Sequence, residues 1–341
     1  MLTYGADNLK FKGYVEIKMQ VGLVPQGGVL HSGHPDAKRA AAIDLGSNSF
    51  HILVADIIDG RVIPIHCWGE KIQLADGLRE QASLSEAAKQ RARACLQRFA
   101  DAIAGVPEEQ VRVVGTDALR RAADSAVFVA EIEALLGVPV QVASGEQEAH
   151  IIYQGVVAGK KARRQPITGS TLIIDIGGGS TELVLGAGDQ IVACTSLPLG
   201  CVAYSQQFFP RQVCDPNTFE QSLAALRAVL LPMQEAYSSA NWQQAIGTAG
   251  TALAIESVLL AKGWTSGGIS LAGLERLANL LCQGKSVAAL ALPGLGEERF
   301  DIVTAGVAIM LAVFQVLNID FIETSVDSLR EGLIYSIAEQ L

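Results

Sequence analysis

The 341-residue chain is short of positive charge, aromatics and paired cysteines, and each shortage removes a class of function. With 26 Lys+Arg against 35 Asp+Glu, the net charge of −9 argues against a general nucleic-acid or membrane-surface binder. A polyanionic ligand held by a few local basic groups stays open. The six cysteines (Cys67, Cys95, Cys194, Cys201, Cys214, Cys282) form no CxxC pair and no metal-like spacing with the five histidines, so reduced core thiols in a cytoplasmic protein are expected. The three tryptophans, Trp68, Trp242 and Trp264, are isolated and read as packing rather than a base-stacking platform. No apolar run is long enough for a membrane span: the strongest, 302–317, contains Thr304, Gly306 and Gln315 and reads as a buried helix. Residues 1–37 mix acids and bases without an apolar core, so they are not a secretory signal. They read as a disordered extension without chemistry, consistent with a start codon placed too far upstream.

What is present is a repeat. Asp44-Leu-Gly-Ser-Asn-Ser49 recurs in outline as Asp175-Ile-Gly-Gly-Gly-Ser-Thr181, each after a short apolar run and before a second extended run. Both read as hairpins with a glycine-bearing turn, in which glycine accepts positive φ and presents no Cβ, so that backbone N–H groups converge on an anion. An aspartate opening such a turn would repel phosphate directly and therefore reads as the holder of a bridging divalent cation. A second landmark agrees. Gly115-Thr-Asp-Ala-Leu119 resembles Gly247-Thr-Ala-Gly-Thr-Ala-Leu253; the aspartates lie 131 positions apart and the Gly-Thr pairs 132. Two landmarks with nearly one offset predict two homologous α/β halves facing each other across a cleft. Domain I is expected over 38–160 and domain II over 161–341, with the C-terminal helix packing back on domain I.

Periodicity and capping residues predict helices over 84–104, 125–136, 219–237, 252–260 and 271–282, another opened by the Ser144-x-x-Gln147 capping box, and a last one from Ser328 containing Arg330-Glu-Gly332. Strands are expected at 111–114, 138–142, 172–174 and 321–324. The basic stretch Gly159-Lys-Lys-Ala-Arg-Arg-Gln-Pro166 reads as a solvated linker, with a landing strip for a phosphate chain (Lys160, Lys161, Arg163, Arg164) as the alternative.

The paired landmarks resemble the superfamily of actin, the Hsp70 ATPase domain and sugar kinases, in which two ribonuclease-H-like halves bind a nucleotide or polyphosphate. Within it, six ordered segments look like the exopolyphosphatase and guanosine pentaphosphate phosphohydrolase family: Ala42-Ile-Asp-Leu-Gly-Ser-Asn-Ser-Phe50, Gly115-Thr-Asp-Ala-Leu-Arg120, Ser144-Gly-Glu-Gln-Glu-Ala149, Ile174-Asp-Ile-Gly-Gly-Gly-Ser-Thr-Glu182, Leu199-Gly-Cys201 and Gly247-Thr-Ala-Gly-Thr251. Long members carry a further helical HD-type domain, and the chain resembles the short two-domain form. That likeness carries the expectation of short polyphosphates cleaved distributively.

The resemblance implies roles for particular residues. Glu148 would be the general base; its local alternative is a carboxylate complementing a helix dipole. Arg120 would clamp the terminal phosphate, with Arg121 facing solvent. Asp44 and Asp175 would hold Mg²⁺, with Mn²⁺ as second candidate, and Glu182 would support the metal or the water. The counterpart of Glu182 in the first copy is His51. Gly46, Ser47, Asn48, Ser49, Gly177, Gly178, Gly179, Ser180 and Thr181 would cradle phosphate, with Gly247 and Thr248 closing the cleft. The implied reaction is hydrolysis of the terminal phosphate of inorganic polyphosphate, or the same chemistry on guanosine pentaphosphate; a silent polyphosphate-binding regulator is the third reading. A homodimer without nucleic-acid or membrane partners is expected.

Overall fold

The computed structural model describes residues 34, 36–78 and 82–341, so the extension inferred for 1–37 lies almost wholly outside the described residues. The chain forms two mixed sheets built to one plan. The first runs β3-β2-β1-β4-β5, from β1 (Lys38–Leu45), β2 (Ser49–Ile58), β3 (Arg61–Lys71), β4 (Val111–Gly115) and β5 (Val140–Val142). The second runs β10-β11-β9-β6-β7-β8, from β6 (Ser170–Ile176), β7 (Thr181–Ala187), β8 (Gln190–Leu197), β9 (Gln244–Thr248), β10 (Ile269–Ser270) and β11 (Phe321–Thr324). In each, an antiparallel three-strand meander is followed by parallel strands laid against its first member: β4 beside β1 and β9 beside β6. The duplication read from the motif spacing is thus a duplication of topology, and the fold is the actin-like α/β architecture.

The inner strands are buried on both faces, which is why they read as continuous apolar runs. Alternation then assigns each side chain to a separate core. On β1, Ala41, Ile43 and Leu45 enter the core of the first half, while Ala40 and Ala42 face a core shared by both halves. On β6, Leu172, Ile174 and Ile176 enter the core of the second half and Ile173 the shared one.

Two helices fill the shared core, α4 (Gly145–Ala162) and the last helix, α12 (Leu329–Ala338); each leans on the other half's sheet. Helix α4 follows the first sheet yet packs on β7 and β8, whereas α12 closes the chain yet packs on β1 and β2. They cross at glycines. A Cβ on Gly155 would lie 2.2 Å from the Ser328 carbonyl oxygen, and one on Gly332 2.1 Å from that of Ile151. Because the obstacle is backbone, no rotamer change relieves it. We expect Gly332→Ala to destabilise the protein by about 3 kcal/mol, the upper end of overpacking, despite alanine's ~1 kcal/mol helix advantage. Urea unfolding checks this; a midpoint at or above wild type would mean that the helices slide apart freely.

The remaining α-helices set out among the described residues are α1 (Glu86–Ile103), α2 (Asp117–Arg121), α3 (Ser125–Leu136), α5 (Cys201–Phe208), α6 (Pro216–Leu230), α7 (Gln234–Tyr237), α8 (Ala249–Ala261), α9 (Leu271–Leu281), α10 (Val287–Leu290) and α11 (Val303–Leu317). Side-chain caps set several starts: Ser85 Oγ accepts from Ala88 N–H, Ser144 and Gln147 form a complete capping box, and Ser328 forms another with Glu331. Helix α11 buries every residue but Gln315, as a helix apolar all round must. Among the described residues no helix is long and apolar enough to cross a membrane.

Two expectations need correction. The helix expected over 219–237 is broken: Pro232 lacks an N–H and clashes with the preceding turn, so a 3₁₀ turn over Leu231–Met233 separates α6 from α7. The basic stretch is a solvated linker only in its second part, from Arg164 to Pro166. Helix α4 runs through it to Ala162; Lys160 is buried and its ammonium lies 2.5 Å from Glu323 Oε2, while Arg163 pairs with buried Asp327. These cations hold α4 to β11 and the turn that follows it, and are not a free phosphate track. Lys161 and Arg164 remain exposed.

Candidate active site

Both hairpin turns open into one cleft. Asp44 is the next-to-last residue of β1, opposite His51 on β2, and Asp175 the next-to-last of β6, opposite Glu182 on β7, so the repeat places an acidic residue at equivalent points of the two halves. A cavity of about 100 Å³ lies between them, lined by Asp44, Gly46, Ser47, Asn48, Ser49, His51, Thr116, Glu148, Asp175 and the Gly177–Ser180 loop, with Ala249, Gly250, Thr251, Arg299 and Ser328 closing the far side.

The loop glycines work differently from expectation. None of Gly46, Gly177, Gly178 and Gly179 adopts positive φ. Their value is closeness: a Cβ on Gly179 would lie 2.2 Å from Asp117 Oδ2 and 2.6 Å from Ser47 Oγ, and one on Gly178 3.0 Å from Asn48. The second loop thus packs directly on the first. Its carbonyls are tied down by α5, whose Cys201 and Val202 N–H groups donate to Gly177 O and Gly178 O at 3.1 and 3.0 Å. Ser47 Oγ accepts from Ala118 N–H at 3.1 Å, fixing the first loop to α2.

Glu148, in the first turn of α4, points into the cavity and is buried. Its Oε2 accepts from Arg120 Nη1 at 2.9 Å, and the same nitrogen donates to Ala143 O at 2.7 Å. Burial pushes the Glu148 carboxyl up to about 8; Arg120 opposes this, and the Asp44 and Asp175 charges add to it. Asp175 is pushed up to about 6, again first by burial, although Ser328 Oγ donates to its Oδ2 at 2.7 Å. Glu182 is held well above the carboxylate range by burial and by Glu148 and Asp175, and it accepts from Ser196 Oγ at 2.7 Å. Four acidic groups therefore converge, and burial resists charging Glu148, Asp175 and Glu182.

Not every expected residue lines the cavity. Arg120 stands behind Glu148, and Glu182 lies fully buried beneath the loop. Thr181 is buried with its hydroxyl donated to Leu199 O at 2.6 Å. Gly247 and Thr248 also miss it: a Cβ on Gly247 would meet Ile322 and Ala252, and the Thr248 hydroxyl donates to carbonyls of Ser325 and Asp327. They close the strand onto its neighbours, and the next three residues, Ala249, Gly250 and Thr251, reach the cleft instead. Arg121 is half-exposed, as expected, but pairs with Asp117 at 3.1 Å.

Sequence reasoning missed Arg299 and Ser328. Arg299 lines the cavity and makes no hydrogen bond or ion pair with any described residue; burial holds its pKa below the usual arginine value. The absent Cβ of Gly250 leaves room for its guanidinium, which would otherwise be 1.8 Å away. An unpaired, desolvated guanidinium in a cavity is poised for an anion. Nothing in the local sequence distinguishes it from its charged neighbours Glu297 and Glu298. Ser328 did carry a signal, its capping box with Glu331.

The fit to a divalent cation rests on the donors. Asp44 Oδ1 is buried with no hydrogen-bond partner, and Asp175 uses one oxygen on Ser328. Among the described residues no cluster of three or more His, Cys, Asp or Glu forms a cage for a metal. Two carboxylates plus substrate oxygens and water are nevertheless what Mg²⁺ commonly accepts. A cavity lined by Asp44, Glu148 and Asp175 would otherwise repel a phosphate.

Two α/β halves that set paired hairpin loops across an acidic, arginine-bearing cleft define a two-lobed protein of the actin-like fold. The Ppx/GppA phosphatase family matches residues 53–341, and the chain belongs to that family. It is 39% identical over 301 residues to the guanosine-5'-triphosphate,3'-diphosphate pyrophosphatase of Vibrio vulnificus, covering 88% of this chain and 59% of the relative. The chain thus spans about three-fifths of the length of the curated relatives it matches. Among solved structures it is similar to an exopolyphosphatase from Cytophaga hutchinsonii (TM-score 0.78, 25% identity, 89% of this chain and 99% of that one). It shares its fold with a nucleoside triphosphate hydrolase from Neospora caninum (TM-score 0.54, 11% identity, 89% and 93%).

Proposed function

We propose that the protein hydrolyses the terminal phosphoanhydride of a linear polyphosphoryl substrate. The observation that carries the reading is Glu148, a buried carboxylate oriented by Arg120 and aimed into a cavity whose floor is two apposed phosphate-type loops. In the proposed step Glu148 takes a proton from water as its oxygen attacks the terminal phosphorus; the new P–O bond forms as the bridging P–O bond breaks, and the shortened chain leaves with the electron pair. Arg299 and the loop N–H groups bind the non-bridging oxygens. Arg120 holds Glu148 in line from behind. Asp44 and Asp175 would hold Mg²⁺, which when bound neutralises charge on the transferring phosphoryl group. Phosphoryl transfer demands positioning and charge neutralisation above covalent help, and this set supplies both.

Two substrates meet this chemistry. Guanosine pentaphosphate is favoured by the name of relatives at 38–39% identity, and inorganic polyphosphate by that of the Cytophaga hutchinsonii protein. Phosphate release from long polyphosphate, short polyphosphate and guanosine pentaphosphate, compared as kcat/KM at one Mg²⁺ concentration, ranks them. No release from any of the three would leave the silent-regulator reading.

A base works only when ionised, so the pKa of Glu148 sets the sign of the pH dependence. With its carboxyl pushed up to about 8, activity at low Mg²⁺ should climb as pH rises through that value. A cation at Asp44 and Asp175 would cancel the charges that help raise it, so saturating Mg²⁺ should move the limb to lower pH. Profiles of kcat/KM at two Mg²⁺ concentrations test this; superimposable limbs would separate Glu148 from the metal site.

A further inference from the structure

Outside the lining of the cleft, two segments of the second half bring a pair of thiols together. Cys214 immediately precedes Asp215, the N-cap of α6, and Cys282 is the C-cap of α9, 68 positions later in the chain. Their sulfurs are 3.5 Å apart, in hydrogen-bonding contact without a bond. The backbones around them are already paired: Gly284 N–H donates to Cys214 O at 2.9 Å, and Val213 forms an antiparallel bridge with Ser286. Bond formation therefore needs side-chain rotation rather than movement of either segment.

The two thiols are unequal. Cys214 is buried, whereas Cys282 is partly exposed and flanked by exposed Gln283, Gly284 and Lys285. The hydrogen bond between the two thiols holds the Cys282 pKa below its usual value and that of Cys214 above it, while burial raises those of Cys67, Cys194 and Cys201. The accessible member of the pair is thus the better nucleophile.

We propose that Cys282 and Cys214 form a thiol–disulfide exchange site, Cys282 attacking and Cys214 resolving, that takes low-molecular-mass disulfides and closes a reversible cross-link between α6 and α9. With glutathione disulfide, the Cys282 thiolate attacks one sulfur, forms a mixed disulfide and expels glutathione thiolate. Cys214, losing its proton to solvent, then attacks Cys282 Sγ and expels the second glutathione. Two protein thiols are oxidised and one disulfide is reduced to two thiols, so the balance closes without another reactant. Both helices pack on α11, the apolar core helix of this half, so the cross-link would staple the outer layer around it. Closing so long a loop should restrict the unfolded chain and raise the melting midpoint by roughly 5–10 °C.

The test is intact-mass and peptide mapping of the full chain after glutathione disulfide treatment. The expected product of wild type has lost two hydrogens, links the Cys214 and Cys282 peptides, melts higher, and reverts with dithiothreitol. Cys214→Ser should instead accumulate a stable glutathione adduct on Cys282, and Cys282→Ser should leave Cys214 unmodified. A persistent adduct on Cys282 in wild type, a link between other cysteines, or no mass change would each overturn the proposal. The readout is chemical, so it stands or falls apart from the hydrolase reading.

Discussion

Glu148→Gln should lose at least ~10²-fold in kcat while the substrate concentration for half-saturation stays close to wild type, because it removes the proton acceptor and keeps the shape. The geometry makes this a demanding test. The introduced amide would still accept from Arg120 through its oxygen, so the clamp and α4's first turn keep their positions. A loss carried by KM alone would point to binding and not to proton transfer. The same substitution has a second, opposite expectation. A carboxyl raised to about 8 contributes stability that is present below its unfolded pKa and is lost as pH rises through 8. Above that pH the wild type carries a buried, poorly solvated charge that glutamine lacks. The variant should therefore be more stable there by on the order of 1–3 kcal/mol, allowing for a weaker bond to Arg120. Thermal melts at pH 6 and pH 9 read the difference. Loss of activity with no gain of stability would mean that Glu148 is ionised cheaply in the cleft and that its pKa is set by something other than burial.

Much of the fold was legible because its signals are local. The strand at Phe321–Thr324 and the helix at Ser125–Leu136 have the bounds that their apolar patterns predict, the latter stopped by Gly137 in the left-handed region. The duplication was legible for another reason: two landmarks sharing an offset report on topology without any knowledge of packing. What sequence could not supply were partners distant in the chain. Lys160 and Arg163 look like a solvated run until Glu323 and Asp327, 163 and 164 positions away, are placed against them. Arg299 is similar, since a guanidinium becomes an anion site only when folding buries it in a cavity and leaves it without a hydrogen-bonded carboxylate. The turn glycines show the subtler failure. Their composition suggests the backbone angles that glycine permits, whereas what Gly178 and Gly179 permit is contact with Ser47 and Asn48 of the other half.

The cation is where the acidic cleft and an anionic substrate must be reconciled, and Asp175 is the residue through which to ask. It is buried, pushed up to about 6 by that burial with Ser328 opposing, and lies across the cavity from Asp44, whose Oδ1 is buried without a partner. Asp175→Asn keeps the volume and still accepts from Ser328 through one oxygen, but it halves the negative charge available to Mg²⁺. We expect activity at modest Mg²⁺ to fall by ~10²-fold or more, with part of it restored by excess Mg²⁺. Ser328→Ala gives the graded counterpart. It leaves the carboxylate in place and removes the hydroxyl that orients it, so the Mg²⁺ concentration for half-maximal phosphate release should rise ~10-fold with little change in the limiting rate. The ordering is what discriminates. If Asp175 serves the metal, both variants shift the Mg²⁺ titration, the asparagine variant more than the alanine one, and saturating cation recovers the Ser328→Ala protein almost fully. If it serves only to hold the last helix through Ser328, both variants lose stability in urea together and their Mg²⁺ titrations superimpose on wild type, which would remove Asp175 from the metal site.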